Sequence, residues 1–325
     1  MWWLRKVPLT ILGLLTIVAI IGAGYQRVGS HMDDRRAPEP GHLVNVDGRQ
    51  FQINCAGSGS PTVILESGLG DILTEWQPVQ AQISKFTRVC AYDRAGYGGS
   101  DAGPQPRTSR QIAVELHRLL QSAGERAPFV LVGHSFGGYN VRVFNGQYPN
   151  EVAGLVLVDS VQEDQYELLP SAWKQVGASQ LSRWQSQATW MPLQIELGIA
   201  RLRFRKLLGA DSYLILQSKY LKARTSELEQ IEISGTQAHA AGMIGDKPLI
   251  VLTGVQQDDA LKKALSAEDF VRFQQVWVRT LQPRLARLST RGKQEILPDV
   301  GHNIPAERPE AIVKAVREVC APTAQ

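Results

Sequence analysis

Leu131-Val132-Gly133-His134-Ser135-Phe136-Gly137-Gly138 sets a short apolar run against a G-x-S-x-G pattern and then against a helical segment. A buried strand that turns sharply into a helix needs glycine where the two approach, and it holds the intervening serine out on a strained corner. In this setting Ser135 is the candidate nucleophile, with its hydroxyl at the carboxyl edge of a sheet above a helix amino terminus. His134, inside the same motif, reads as a residue that packs locally.

Outward from this corner, strand and helix signals alternate. The predicted strands are His42 to Val46, Gln50 to Cys55, Thr62 to Glu66, Arg88 to Tyr92, Phe129 to Gly133, Gly154 to Asp159, Pro248 to Thr253 and Gln294 to Leu297. Several are unbroken apolar runs, as buried parallel strands require. Between them Ile112, Leu116, Leu119 and Leu120 share one helical face, started by Thr108 with Gln111 and stopped by Gly124, and Ile312, Ala315, Val316 and Val319 share another. The pattern predicts an α/β fold, a mostly parallel eight-stranded sheet flanked by helices. Residues 161–247 break the alternation: they are helical in composition and carry Trp173, Trp184, Trp190 and Met191. They read as a helical cap inserted between core segments 42–160 and 248–325, its aromatics packing between helices and together suggesting an apolar entrance.

From Val7 to Gly24 the chain has no charged residue, and Arg5 and Lys6 stand just before that run. This is the pattern of a signal anchor or a cleaved signal peptide over residues 1–24, and Gly22, Ala23 and Gly24 are small enough for a peptidase, so both readings stand. The basic flank places the folded domain outside the cytoplasm. Residues 25–41, polar and proline-bearing, suit a linker.

The net charge of +4 comes from 35 basic against 31 acidic residues scattered along the chain. No stripe follows a phosphate backbone, so nucleic acid is not an expected partner. The densest basic run, Arg201, Arg203, Arg205 and Lys206, can touch anionic headgroups, although a solvated helix face is the simpler reading.

A serine needs a base, and six histidines are available. His31 and His42 precede the core strands, His117 lies within a helix, His134 is in the corner motif and His239 is in the cap. His302 follows the last strand, where a loop can carry it over the carboxyl ends of the sheet.

Four blocks in order resemble the alpha/beta-hydrolase family over about Gly41 to Val319: Leu65 to Gly70, Tyr92 to Ser100, Gly133 to Gly138, and Val300-Gly301-His302 followed by Glu307 to Glu310. The resemblance implies that His302 is the general base and that backbone N–H groups of Leu69 and Phe136 form the oxyanion hole, with Ser67 where many members have histidine. The Asp93 block is expected to shape the loop beside the pocket. The acid stays open: the family most often uses the loop after Pro248 to Gly254, which holds Asp258 and Asp259. Gln257 stands where the usual spacing puts that residue, and Asp159 ends the preceding strand at a place some members use, so Asp159 is preferred. Cys55, Cys90 and Cys320 show no metal spacing, and buried thiols are the default reading. The family's sheet order sets the strands of Cys55 and Cys90 side by side, and an exported domain permits a bridge between them.

These expectations describe a cofactor-independent hydrolase without a metal that forms an acyl-enzyme with a small, apolar acyl substrate and meets a membrane through its first helix. Ester or thioester cleavage leads. Amidase, peptidase, perhydrolase or acyltransferase activity would use the same three residues, and a silent receptor of the same fold is the alternative of a different class. A serine nucleophile argues against epoxide hydrolase and haloalkane dehalogenase relatives, which use aspartate.

Overall fold

The computed structural model describes residues 3–36, 40–204, 216–256 and 259–321. Its strands are β1 (His42–Val46), β2 (Arg49–Ala56), β3 (Thr62–Glu66), β4 (Val89–Tyr92), β5 (Phe129–His134), β6 (Val152–Val158), β7 (Leu249–Gly254) and β8 (Gly292–Leu297). They form one sheet in the order β1-β2-β4-β3-β5-β6-β7-β8. The pairs β1/β2 and β2/β4 are antiparallel and the rest are parallel.

The central strands β3, β4, β5 and β7 are buried throughout, which is why they read as continuous apolar runs. Alternate residues face opposite layers. Leu131, Leu155 and Val251 pack with Ile112, Leu116, Leu119 and Leu120, while Val130, Val132, Val156 and Leu252 pack with Val79, Ile83, Ile312 and Val316. The helices of those layers are α2 (Gln77–Ile83), α3 (Ser109–Ser122), α4 (Gly137–Gln147) and α14 (Pro309–Cys320). Thr108 caps α3 by accepting the N–H of Gln111 at 3.4 Å.

Between β6 and β7 lie the cap helices α5 (Gln165–Leu168), α6 (Ser171–Glu196), α7 (Ile199–Phe204), α8 (Ser218–Glu229) and α9 (Ile231–Ala240). A second helical stretch joins β7 to β8: α10 (Asp259–Ala264), α11 (Ala267–Val276), a π turn (Trp277–Leu281) and α12 (Gln282–Ala286). The short α13 (Ile304–Glu307) precedes α14. Of the cap aromatics, Trp173 packs at a tilt against Tyr166, Trp184 lies under the Arg224 guanidinium, and Trp190 is 69% exposed.

The amino-terminal helix α1 runs from Trp3 to Arg36 and is long and apolar enough to cross a membrane between Ile11 and Met32. The linker expected at 25–41 is therefore corrected over residues 25–36, which continue the helix. Polar residues do not end a helix by themselves. Gln26 Nε2 donates to Ser30 Oγ one turn on, Gln26 packs against the cap, and no proline intervenes before Pro38. The basic run divides: Arg201 is buried against α1, Arg203 is exposed, and Arg205 and Lys206 lie outside the described residues.

Candidate active site

Ser135 sits between β5 and α4 with φ of +51°, a left-handed backbone that a side chain adopts only under constraint. The constraint is the packing of its glycines. A Cβ on Gly133 would lie 2.6 Å from the Gly137 carbonyl oxygen, one on Gly137 would lie 2.5 Å from that of Glu66, and one on Gly138 would strike Ser160 Cβ at 2.4 Å. Strand, turn and helix are thus locked together with the serine at the corner.

His302 Nε2 lies 3.0 Å from Ser135 Oγ, and its Nδ1 lies 2.6 Å from Asp159 Oδ2. Asp159 is fully buried just past β6, and its own φ of +40° aims the carboxylate across the sheet edge. Its other oxygen, Oδ1, accepts the N–H of Gly254 at 3.1 Å and the indole N–H of Trp277 at 2.9 Å. Both carboxylate oxygens are therefore directed, and the imidazole has one orientation that satisfies serine and acid together. Asp159, the position that the sequence preferred, lies beside His302. Asp258 lies outside the described residues, and Asp259 opens α10 with its side chain outside them as well.

The backbone N–H groups of Leu69 and Phe136 have no protein acceptor among the described residues. Phe136 is the first residue before α4, where the helix leaves N–H groups free for a negative oxygen. The loop before Leu69 is held from below. Buried Arg94 donates to the carbonyls of Ser67 at 2.7 Å and Gly68 at 2.8 Å, and it pairs with Glu66 at 3.0 Å and with both oxygens of Glu227 at 2.9 Å. Glu227 belongs to α8 and also accepts the Tyr97 hydroxyl at 2.6 Å. Burial pushes the Glu66 carboxyl up from its ordinary value, with the Arg94 charge opposing, and Tyr92 donates to the same carboxylate. Ser67 Oγ accepts the indole N–H of Trp76 at 2.9 Å.

His134 packs locally, as expected, but in a specific way. Its Nδ1 lies 2.8 Å from Glu75 Oε1 and its Nε2 lies 3.0 Å from the carbonyl of His302. Both neighbours are acceptors, so the ring fits as an imidazolium. Burial opposes that charge, yet the Glu75 carboxylate and nearby Asp71 raise its pKa to about 9. The other histidines lie apart from this site: His117 stacks on Tyr148 and bonds Glu151, and His239 contacts Glu163 in the cap.

Asp71, Glu75 and His134 bring ligand atoms within 4.8 Å of one another. Both nitrogens of His134 already face acceptors, which leaves no imidazole lone pair for a metal ion. Cys55 and Cys90, with Glu125 nearby, are likewise committed: they oppose each other across β2 and β4 and are joined in a disulfide. Cys320 is a free thiol.

Sequence reading did not find Trp277, Glu227 or Glu75. Only Arg94 carried a signal, through its place in the Asp93 block.

A model of the alpha/beta hydrolase family matches residues 63–315. An AB hydrolase superfamily protein from Gibberella zeae is 29% identical over 283 residues, 80% of this chain and 86% of the relative. The Hormonema carpetanum protein named "Probable transporter efuK" is 34% identical over 34% of this chain, which spans 17% of that protein's length. Among solved structures, a probable hydrolytic enzyme from Pseudomonas aeruginosa PAO1 superposes with a TM-score of 0.60 at 20% identity, over 88% of this chain and 100% of that one.

Proposed function

The chain belongs to the alpha/beta-hydrolase family, and on that basis we propose that it is a serine hydrolase cleaving carboxylic esters or thioesters through an acyl-enzyme on Ser135. The observation that carries the reading is the unbroken line from Ser135 Oγ through both His302 nitrogens to Asp159. His302 takes the hydroxyl proton as Ser135 attacks the acyl carbon, and the imidazolium that forms is stabilised by the Asp159 carboxylate, which stays ionised. The carbonyl oxygen becomes an anion within reach of the Leu69 and Phe136 N–H groups, a contact stronger in the transition state than in the substrate. His302 then gives the proton to the departing alcohol or thiol. Water then bonds to the acyl carbon as His302 takes its proton, the bond to Ser135 Oγ breaks to release the acid, and His302 returns the proton to Oγ.

The same proposal takes α1 as a membrane anchor with the catalytic domain outside the cytoplasm. Its apolar length and the basic residues before it support this, as does the Cys55–Cys90 bridge, since disulfides persist in oxidising compartments.

A fluorophosphonate probe tests the chemistry. Wild-type protein is expected to be labelled once, and Ser135→Ala is expected to lose labelling and hydrolysis of a short-chain ester together. Undiminished hydrolysis in that variant overturns the mechanism.

A further inference from the structure

We propose that the corner between α6 and α7 is a bilayer-docking surface, lying on the non-cytoplasmic face of the membrane that α1 crosses. The proposal rests on the reading of α1 as a retained anchor.

The helix is fitted to the cap at this corner. A Cβ on Gly22 would lie 2.1 Å from the Leu197 carbonyl oxygen, and one on Gly198 would lie 2.4 Å from that of Gly22. Two turns further on, a Cβ on Gly29 would lie 2.4 Å from Arg201 Nε, and that nitrogen donates to Gln26 Oε1 at 3.1 Å. Arg201 is 5% exposed, so its charge is enclosed in the α1–α7 contact.

The contact also fixes depth. Within the apolar span Ile11–Met32 the uncharged run ends at Gln26, before Arg27, and Tyr25 near its end is half-exposed. At about 1.5 Å per residue, Gly22 sits roughly 7 to 8 Å inside the level of Arg27, the depth to which an interfacial helix buries its apolar face. Leu197 and Gly198, packed on Gly22, therefore stand at the boundary between hydrocarbon and headgroups.

The surface around them has the matching composition. Trp190 and Leu193 on α6 are 69% and 62% exposed, and Ile199 and Leu202 on α7 are 50% and 57% exposed. Each pair is three residues apart and so shares a helix face, and Arg203 is exposed beside them. Tryptophan, aliphatic side chains and arginine on short helices next to a span are the chemistry of an interfacial surface. Continuity with α1 favours the lipid surface over a second copy or a protein partner.

The inner faces of the same helices approach the catalytic side. Met191, Ile195 and Ala200 pack with Ile72 and Tyr220, and the Tyr220 hydroxyl donates to the Gly70 carbonyl at 2.8 Å. One layer of helix thus separates the proposed membrane face from the loop that carries Leu69. The substrate class that such a placement serves is an acyl ester dissolved in the bilayer.

The test uses the full chain in vesicles of phosphatidylcholine and phosphatidylglycerol. In a Cys320→Ser background, Ile17→Cys, Leu193→Cys, Leu202→Cys and Ile296→Cys are each labelled with an environment-sensitive dye and exposed to lipids bearing a quencher. Labels at positions 17, 193 and 202 are expected to be quenched, the last two at shallower depth, while the label at 296 on the sheet edge stays water-exposed. If positions 193 and 202 match 296 while 17 is quenched, the docking surface is wrong and the anchor stands. Absence of residues 1–24 from the mature mass removes the anchor, and docking with it. Shielding at 193 and 202 that ignores lipid quenchers and rises with protein concentration assigns the surface to another protein and overturns the proposal. The double variant L193E/L202E is expected to raise KM for a long-chain ester dissolved in vesicles by about fivefold or more, leaving KM for a water-soluble ester unchanged. Equal change for both esters overturns the link to substrate.

Discussion

Arg94 and Glu227 form a buried two-point ion pair that ties the loop before Leu69 to cap helix α8. The same guanidinium also holds the Ser67 and Gly68 carbonyls, so the pair sets where the Leu69 N–H points. Glu227→Gln keeps the size and removes the charge. It is expected to lower kcat by about tenfold to a hundredfold with a smaller change in KM, because oxyanion contacts count chiefly in the transition state. Steady-state kinetics and a melting curve on the same preparation separate this from unfolding. Loss of active protein with kcat per folded molecule unchanged would reduce the pair to a structural role.

Asp159→Asn is expected to cut turnover by about four orders of magnitude with the fold intact, since an amide can hold the wrong imidazole tautomer. Asp259→Asn is expected to retain most activity. Burst and steady-state assays of both variants decide the acid, and the reverse ranking moves it to the loop after β7.

Stability is expected to fall above neutrality through His134. Its pKa in the folded protein, about 9, exceeds the ordinary value of 6.5, so its contribution is complete below pH 6.5 and is lost as pH rises through about 9. The size is on the order of 3 kcal/mol. Denaturant unfolding at a series of pH values, compared with His134→Gln, checks it. The variant should be less stable near pH 6 and should show a flatter profile to pH 9.

Reduction of the Cys55–Cys90 bridge opens a loop with a sequence separation of 35 residues. The chain-entropy account gives a cost of about 4 kcal/mol. The double variant C55A/C90A is expected to unfold at lower denaturant while its ester kinetics stay near wild type, because neither cysteine approaches Ser135 or His302. An unchanged unfolding midpoint would mean that the bridge contributes nothing to stability.

The sheet was legible because its buried strands are unbroken apolar runs, and β8 began two residues earlier than expected because Gly292 and Lys293 are only half-covered and polar in character. The serine corner was legible because the glycines that permit it must stand at fixed spacing. The acid was legible only as a preference, since β6 and β7 end on the same edge and only the mismatch at Gln257 favoured Asp159, which lies beside His302. Trp277 reaches Asp159 across 118 positions of sequence, and Glu227 reaches Arg94 across 133, so neither contact leaves a periodicity to read. The helical path past Gly24 was hidden by polarity, which marks exposure as readily as it marks a linker.

Ser135 and Asp159 leave neighbouring strands whose register sets His134 opposite Val158. Two of the three proposed catalytic side chains are therefore fixed by one strand pair, and among the described residues the connection from β7 to β8 adds the indole of Trp277 on Asp159. Changes in that connection spare the strand pair itself, but an engineered library must keep Trp277 and the buried Phe273, Leu281 and Leu285 that seat it on the sheet. A single-residue insertion within β5 or β6 would instead turn one partner away from the other and silence the molecule at once.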